Sequence, residues 1–292
     1  MYVYDHMTIK WEDDGNRYCL HIHQDTTPDD PRSMDDTRKH LTTMACWHRN
    51  YCVGDDIGKV NPDEFWRDLV RANVPESDVN EAVIAGKLSS VSAKEIAGDP
   101  GFYDVSLEPG SEEYDFEGVA KDSIVYSVLD ELSIEDCKTL LNPYAEWLHI
   151  WGYDHGGLTI SCGPRVYPFN DRWDSGQLGV IIAFKERMVT EFELDSNDDD
   201  GWRKKAVEIM CSEVELTDQY ITGNVYWCEL HEFVDDGSED GSWDEIDSCS
   251  GFYGSDPLKN GMADAIGRHL KEAIEKDQCE VGTAEKQVVW VL

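Results

Sequence analysis

Residues 18–23, YCLHIH, alternate strictly, with Tyr18, Leu20 and Ile22 on one face of an extended chain and Cys19, His21 and His23 on the other, which predicts a strand. A loop rich in Asp and Pro follows, then an apolar segment around LTTMACWH and the loop CVGDDIG. After Asn61 the period becomes helical. Asn61 suits an N-cap, Pro62 the first helical position, and Asp63 and Glu64 the first turn, while Phe65, Trp66, Leu69 and Val70 form one apolar stripe, so a helix is predicted over 62–72. Short helices are expected near 76–85 and 92–97, the second opened by Ser92 and Glu95 in capping-box spacing. GDPGFYDVSLEPGSEEYDFEG reads as a loop or an inserted segment. A helix near 133–141 ends at Asn142 and Pro143, after which PYAEWLHIW, GGLTISC and QLGVIIAF read as strands. Val207, Met210, Cys211 and Val214 share one face of a long helix. ITGNVYWCELHEF then reads as a strand, DDGSEDGSWDEID as an acidic loop, Met262, Ile266, Leu270 and Ile274 as the stripe of one helix from Pro257, and QVVWVL as a closing strand. There is no internal repeat and no βαβ rhythm. The pattern predicts an α+β fold, two-layer, with a mainly antiparallel sheet and several packing helices, in a single domain over 1–292 with an inserted or loop-rich segment at about 74–120.

With 292 residues and 40% hydrophobic composition the chain has material for a core, so disorder is not the default reading. Charge changes the picture more. Sixty-one acidic against 25 basic residues give a formal net charge of −36, which repels phosphate and argues against direct nucleic-acid binding. Three sources of acidity compete: solubility or salt adaptation, calcium or magnesium chemistry, and carboxylates that imitate a nucleic acid before a basic partner. Cysteines at 19, 46, 52, 137, 162, 211, 228, 249 and 279 contain no CxxC pair and suit reduced thiols. The start MYVYDHMTIKWEDD lacks the features of a signal peptide, and no run approaches ~18 apolar residues, so a soluble intracellular protein is expected.

Candidate chemistry concentrates in a few places. Cys46, His48 and Cys52 could share a metal with His155 or Cys162, but only one short-spaced cluster is present and a buried Cys beside a hydrogen-bonded His is the plainer reading. Cys19, His21 and His23 could chelate an ion, although an exposed strand face gives the same pattern with no ligand. No metal site and no cofactor is assigned. Cys162 or Cys249 with His155 and Asp174 can be written as nucleophile, base and acid, yet GxSxG and the cysteine-protease signatures are absent. DGSEDGSWDEID meets part of the calcium-loop template but ends in Asp247 where a bidentate Glu belongs, and an acidic hairpin loop is the better reading. There is no phosphate-binding GxGxxG or GKS. In YDHGGLTISCGPRVYPFNDRWDSGQLG, Asp174 and Ser175 suit a turn, Trp173 is expected to anchor it on the core, and His155 can bond to Asp174 if the two strands pair.

Five blocks, MACWHRNYCVGD (44–55), YDHGGLTIS (153–161), WDSGQLGVI (173–181), EVELTDQYITGNVY (213–226) and DSCSGFYG (247–254), together resemble a largely uncharacterised protein family of phages and other mobile elements. Cys52 and Val53 before Gly54, and Ser250, depart from that family's pattern. The resemblance makes Cys46, His48, Asp154, Trp173 and Gln177 a structural signature. It implies an accessory protein of the host cytoplasm, similar to anti-defence inhibitors of the anti-CRISPR or anti-restriction type. Such an inhibitor would bind a host or defence protein through the latter's basic nucleic-acid-binding surface, contacting neither nucleic acid nor membrane, in an oligomeric state left open. The acidic surface that would do this is assigned to Asp195, Asp198, Asp199, Asp200, Asp235, Asp236, Glu239, Asp240, Asp244 and Glu245. Two alternatives stand beside it: an enzyme using Cys46, His48, Asp154, His155, Asp174 and Gln177 on a small molecule or host component, and a phage assembly accessory protein.

Overall fold

A computed structural model describes residues 6–33, 40–108, 110, 113–163, 173–235, 237, 241–283 and 286–289. Its largest sheet runs, in spatial order, β11 (Ser242–Tyr253), β10 (Val225–Val234), β2 (Asn16–Gln24), β1 (His6–Asp13), β12 (Glu280–Thr283) and β13 (Lys286–Val289), antiparallel throughout. The alternation read in YCLHIH is realised here. Ile9 lies opposite Leu20, and Leu20 opposite Leu230, so Met7, Ile9 and Trp11, then Tyr18, Leu20 and Ile22, then Tyr226, Cys228 and Leu230 make one continuous buried face. Two short helices cover it, α7 (Met262–Ile266) and α8 (Leu270–Glu275). The single helix expected from Pro257 is therefore broken, because Gly267, Arg268 and His269 take φ of +64°, +51° and +54°. Met262, Ile266, Leu270 and Ile274 still reach one core.

The second sheet, β3 (Thr42–Cys46), β9 (Ser175–Phe184), β7 (Ala145–Asp154) and β8 (Leu158–Gly163), is covered on both faces. The unbroken apolar run in β9 is the cause. Val180 and Ile182 point to α1 (Pro62–Asn73) and α4 (Ile134–Leu141), whereas Ile181 and Ala183 point to α5 (Lys185–Glu191) and α6 (Asp199–Ile221), where Trp202, Ala206, Met210 and Val214 are buried. The class is α+β with antiparallel sheets, as the pattern predicts. Two layers describe the first sheet with its helices, and three layers describe the second.

The segment 74–120 is more ordered than its composition suggests. It contributes α2 (Glu76–Ile84) and a three-stranded sheet, β4 (Ser92–Glu95), β5 (Phe102–Ser106) and β6 (Phe116–Ala120), which α3 (Ile124–Val128) closes. Val79, Val83, Val91, Tyr103 and Val105 share the core of α1 and α4. Ser92 to Glu95 form a strand and not the expected helix, since the register Ser92↔Ser106 satisfies the backbone that a lone helical turn leaves open. The acidic loop after β10 is likewise shorter than expected, because β11 begins at Ser242 and takes in SWDEID. Among the described residues, no helix is long and apolar enough to cross a membrane.

Candidate functional site

Three of the sequence blocks meet at one end of the second sheet. Pairing of β7 with β9 sets Tyr153 opposite Ser175, and the Asp154 N–H donates to the Asp174 carbonyl at 2.7 Å. That register places the His155 Nδ1 2.8 Å from a carboxylate oxygen of Asp174, so the expected bond across the strands forms. From the end of β3, His48 brings its Nε2 to 3.9 Å from Asp154. His48 Nδ1 accepts the Asn50 N–H at 3.1 Å, which leaves the proton of a neutral ring on Nε2, facing that carboxylate. Tyr51 Oη donates to Asp154 at 3.3 Å. His48, Arg49, Asp154, Asp174, Ser175 and Gln177 border an open depression of about 280 Å3.

Neither cysteine offered as the nucleophile lies at this end of the sheet. Cys162 lies opposite Ile150, four residues along the ladder from Asp154 and roughly 13 Å away, and its thiol sits 3.3 Å from that of Cys211. Burial, with the bond to Cys211, raises the Cys162 pKa far above the thiolate range. Cys46 is pushed up to about 12 by the burial of its sulfur, although the residue as a whole is only partly buried. Cys249 is exposed on β11 of the other sheet, opposite Cys228. The triad of Cys162 or Cys249 with His155 and Asp174 is thus not assembled: β7 and β9 join His155 to Asp174, while Cys162 lies along β8 and Cys249 on the other sheet. Trp173 also departs from expectation, with 95% of its surface exposed. Leu178 is the first inward residue of β9, so the Asp154–Asp174 and His155–Asp174 bonds, not an aromatic anchor, hold the turn.

Other residues of the blocks at 44–55 and 213–226 have structural roles. Gly54 has φ +88°, and a Cβ there would meet the Met44 carbonyl at 2.6 Å; only glycine lets the loop bridge to β3 at Ala45. The adjacent Asp55 accepts the Met44 N–H at 2.8 Å and the Arg32 guanidinium at 2.7 Å. Arg32, its side chain 1% exposed, also donates to Glu213 of α6 at 2.6 Å, and Glu213 accepts from Thr42 as well. Asp218, one turn on, accepts the Ile160 N–H of β8 at 2.7 Å. The blocks at 44–55 and 213–226 thereby clamp β3, β8 and α6 together. Sequence reading missed Arg32, whose partners lie 23 and 181 residues away; its only signal was a basic residue inside a strongly acidic loop.

The acidic candidates divide. Asp198 caps α6 by accepting the Gly201 N–H at 2.9 Å, and Asp199 is held down to about 2 by bonds from Arg203 and Trp202. Asp195 is lowered by the Asn197 backbone and amide, and Asp235 accepts the Gly237 N–H. Asp200 is exposed at the start of α6. Asp244 and Glu245 stand exposed on β11, an edge strand exposed from Trp243 through Gly251. Asp236, Glu239 and Asp240 lie outside the described residues, as does Ser238 of the calcium-loop template. The one described carboxylate residue that is buried is Asp136, so the excess negative charge is a surface property.

Among the described residues, no group of three or more Cys, His, Asp or Glu side chains could hold a metal ion. Comparison with protein-family models, curated proteins and solved structures finds no match to this chain.

Proposed function

We propose that this chain is a phage or mobile-element accessory protein that binds the basic nucleic-acid-binding surface of a host defence protein, such as a CRISPR or restriction nuclease, in the host cytoplasm. The observation that carries the reading is the disposition of charge. Arg32, Arg71, Arg203, Lys138, Lys185 and Lys276 are spent in internal ion pairs, while the carboxylates face solvent. The open edge strand β11 concentrates this, with Asp244, Glu245 and Asp247 beside exposed Trp243 and Ile246. Asp244, Glu245 and Asp247 fall within four residues, with the register slipping between Glu245 and Asp247, and so give a short, staggered row of negative charge with an apolar handle. Such a row speeds encounter with a basic channel and makes binding salt-sensitive.

The test is capture of host proteins on the immobilised chain at low and high salt, with duplex DNA as competitor. Nucleic-acid-binding proteins should be retained at low salt, released by salt or DNA, and lost with D244N/E245Q/D247N. Retention that is indifferent to salt, to DNA and to the triple variant rejects the reading. The His155–Asp174 contact favours an enzymatic alternative, in which His155 serves as a base. On the inhibitor reading His155→Ala leaves capture unchanged; loss of biological effect in a stably folded H155A, with capture intact, transfers the function to that dyad.

A further inference from the structure

Cys162, near the end of β8, and Cys211, in the middle of α6, bring their sulfurs within 3.3 Å of each other as free thiols. They are 49 residues apart, and no sequence motif links them. Regular structure on both sides sets the contact. Helix α6 is 23 residues long, and β8 is paired with β7 from Leu158 to Gly163. The bond from the Ile160 N–H to Asp218, at 2.7 Å, aligns the two elements. Two residues along β8 and seven along α6 lead from that bond to the thiols, and residues seven apart on a helix share one face.

We propose that Cys162 and Cys211 form a redox-responsive dithiol, which a low-molecular-weight disulfide of the glutathione type oxidises to an intramolecular disulfide stapling β8 to α6. The sulfurs have to close from 3.3 Å to roughly 2.0 Å, a movement smaller than one side-chain rotamer change. Both residues are only partly buried, and β8 is the outer strand of its sheet, so a small reagent has a route to them from the sheet edge.

Cys162 donates its S–H to Cys211, which leaves the Cys211 sulfur as the one to attack first. As a thiolate it displaces one glutathione thiolate and forms a mixed disulfide. Cys162 then gives up its proton and displaces the second glutathione thiolate from the Cys211 sulfur. The protein loses two S–H bonds and gains one S–S bond, while the reagent loses its S–S bond and carries the two protons away on two glutathione thiols. Burial, and then the bond to Cys211 and its charge, raise the Cys162 pKa. The mixed disulfide removes the bond and the charge, so Cys162 becomes a better nucleophile once Cys211 has reacted. The finished bond encloses β9 and α5, and a loop of that length restricts the unfolded chain far more than the folded one.

The experiment equilibrates the full chain with reduced and oxidised glutathione in varied ratio, quenches with acid, alkylates the remaining thiols and maps unreduced peptides by mass spectrometry. A linked pair of peptides containing Cys162 and Cys211, lighter by two hydrogens, is expected, whereas exposed Cys52 and Cys249 carry single glutathione adducts. Oxidation should raise the Tm by about 5–10 °C, dithiothreitol should reverse the shift, and neither C162S nor C211S should show it. Near-UV circular dichroism checks the folding of both variants, and if either misfolds the parent's peptide map decides. The proposal is overturned if the link is absent in fully oxidised glutathione, if it forms only in urea-unfolded chains, or if it forms and leaves the Tm unchanged.

Discussion

Arg32 illustrates how one residue decides stability here. Its guanidinium is removed from water and compensated by Asp55 and Glu213, so truncation leaves two carboxylates facing each other with no cation. Arg32→Ala should cost about 3–5 kcal/mol in urea unfolding, and Arg32→Lys a part of it, since an ammonium cannot reproduce the two-sided fork. Asp136 is the counterpart on the other side of the central sheet. Burial raises its pKa, but bonds from the backbone and hydroxyls of Ser89 and Ser90 outweigh burial, and the net shift is downward. A lowered carboxyl contributes stability above its unfolded pKa and loses it as pH falls through the folded value. Asp136→Asn should therefore destabilise by about 1–3 kcal/mol at pH 7, and the difference from the parent should shrink below about pH 4, as read from thermal melts across pH. Neither role was legible in the sequence, because both depend on partners brought close only by the fold; the His155–Asp174 bond was legible, because two adjacent strand ends suggested it.

At the level of elements, a cap signal backed by an apolar stripe was a reliable guide, and one without such a stripe was not. Helix α1 carries the Asn61 cap and the apolar stripe read from its sequence, with Asn61 accepting the Glu64 N–H at 2.9 Å. Ser92 and Glu95 copy a capping box yet lie in β4, because pairing with β5 satisfies more backbone than four residues of helix can. Approach between strands adds a constraint that composition hides. A Cβ on Gly179 would meet the Ala45 carbonyl of β3 at 2.0 Å, whereas one on Gly157 meets nothing within 4 Å. Gly179→Ala should lower stability by about 3 kcal/mol, at the upper end for overpacking, with Gly157→Ala near neutral in the same melting assay.

For the whole molecule, the net charge of −36 could be counted in advance, but not where the charge goes. Asp198 and Asp199, members of the most acidic run, serve α6, while Asp244 and Glu245 line an open edge. The α+β class, the mainly antiparallel strands, the helices α1, α4 and α6 and the buried stripes of those helices followed from the sequence alone, since burial of apolar faces is dictated by period. Tertiary structure decided the rest. Strands β1 and β2 pair with β12 and β10 from the far end of the chain, and β3 pairs with β9. Those non-local registers unite Arg32 with Glu213 and separate Cys249 from His155, for the physical reason that a one-dimensional pattern fixes which side of a strand a residue faces but not which strand lies beside it.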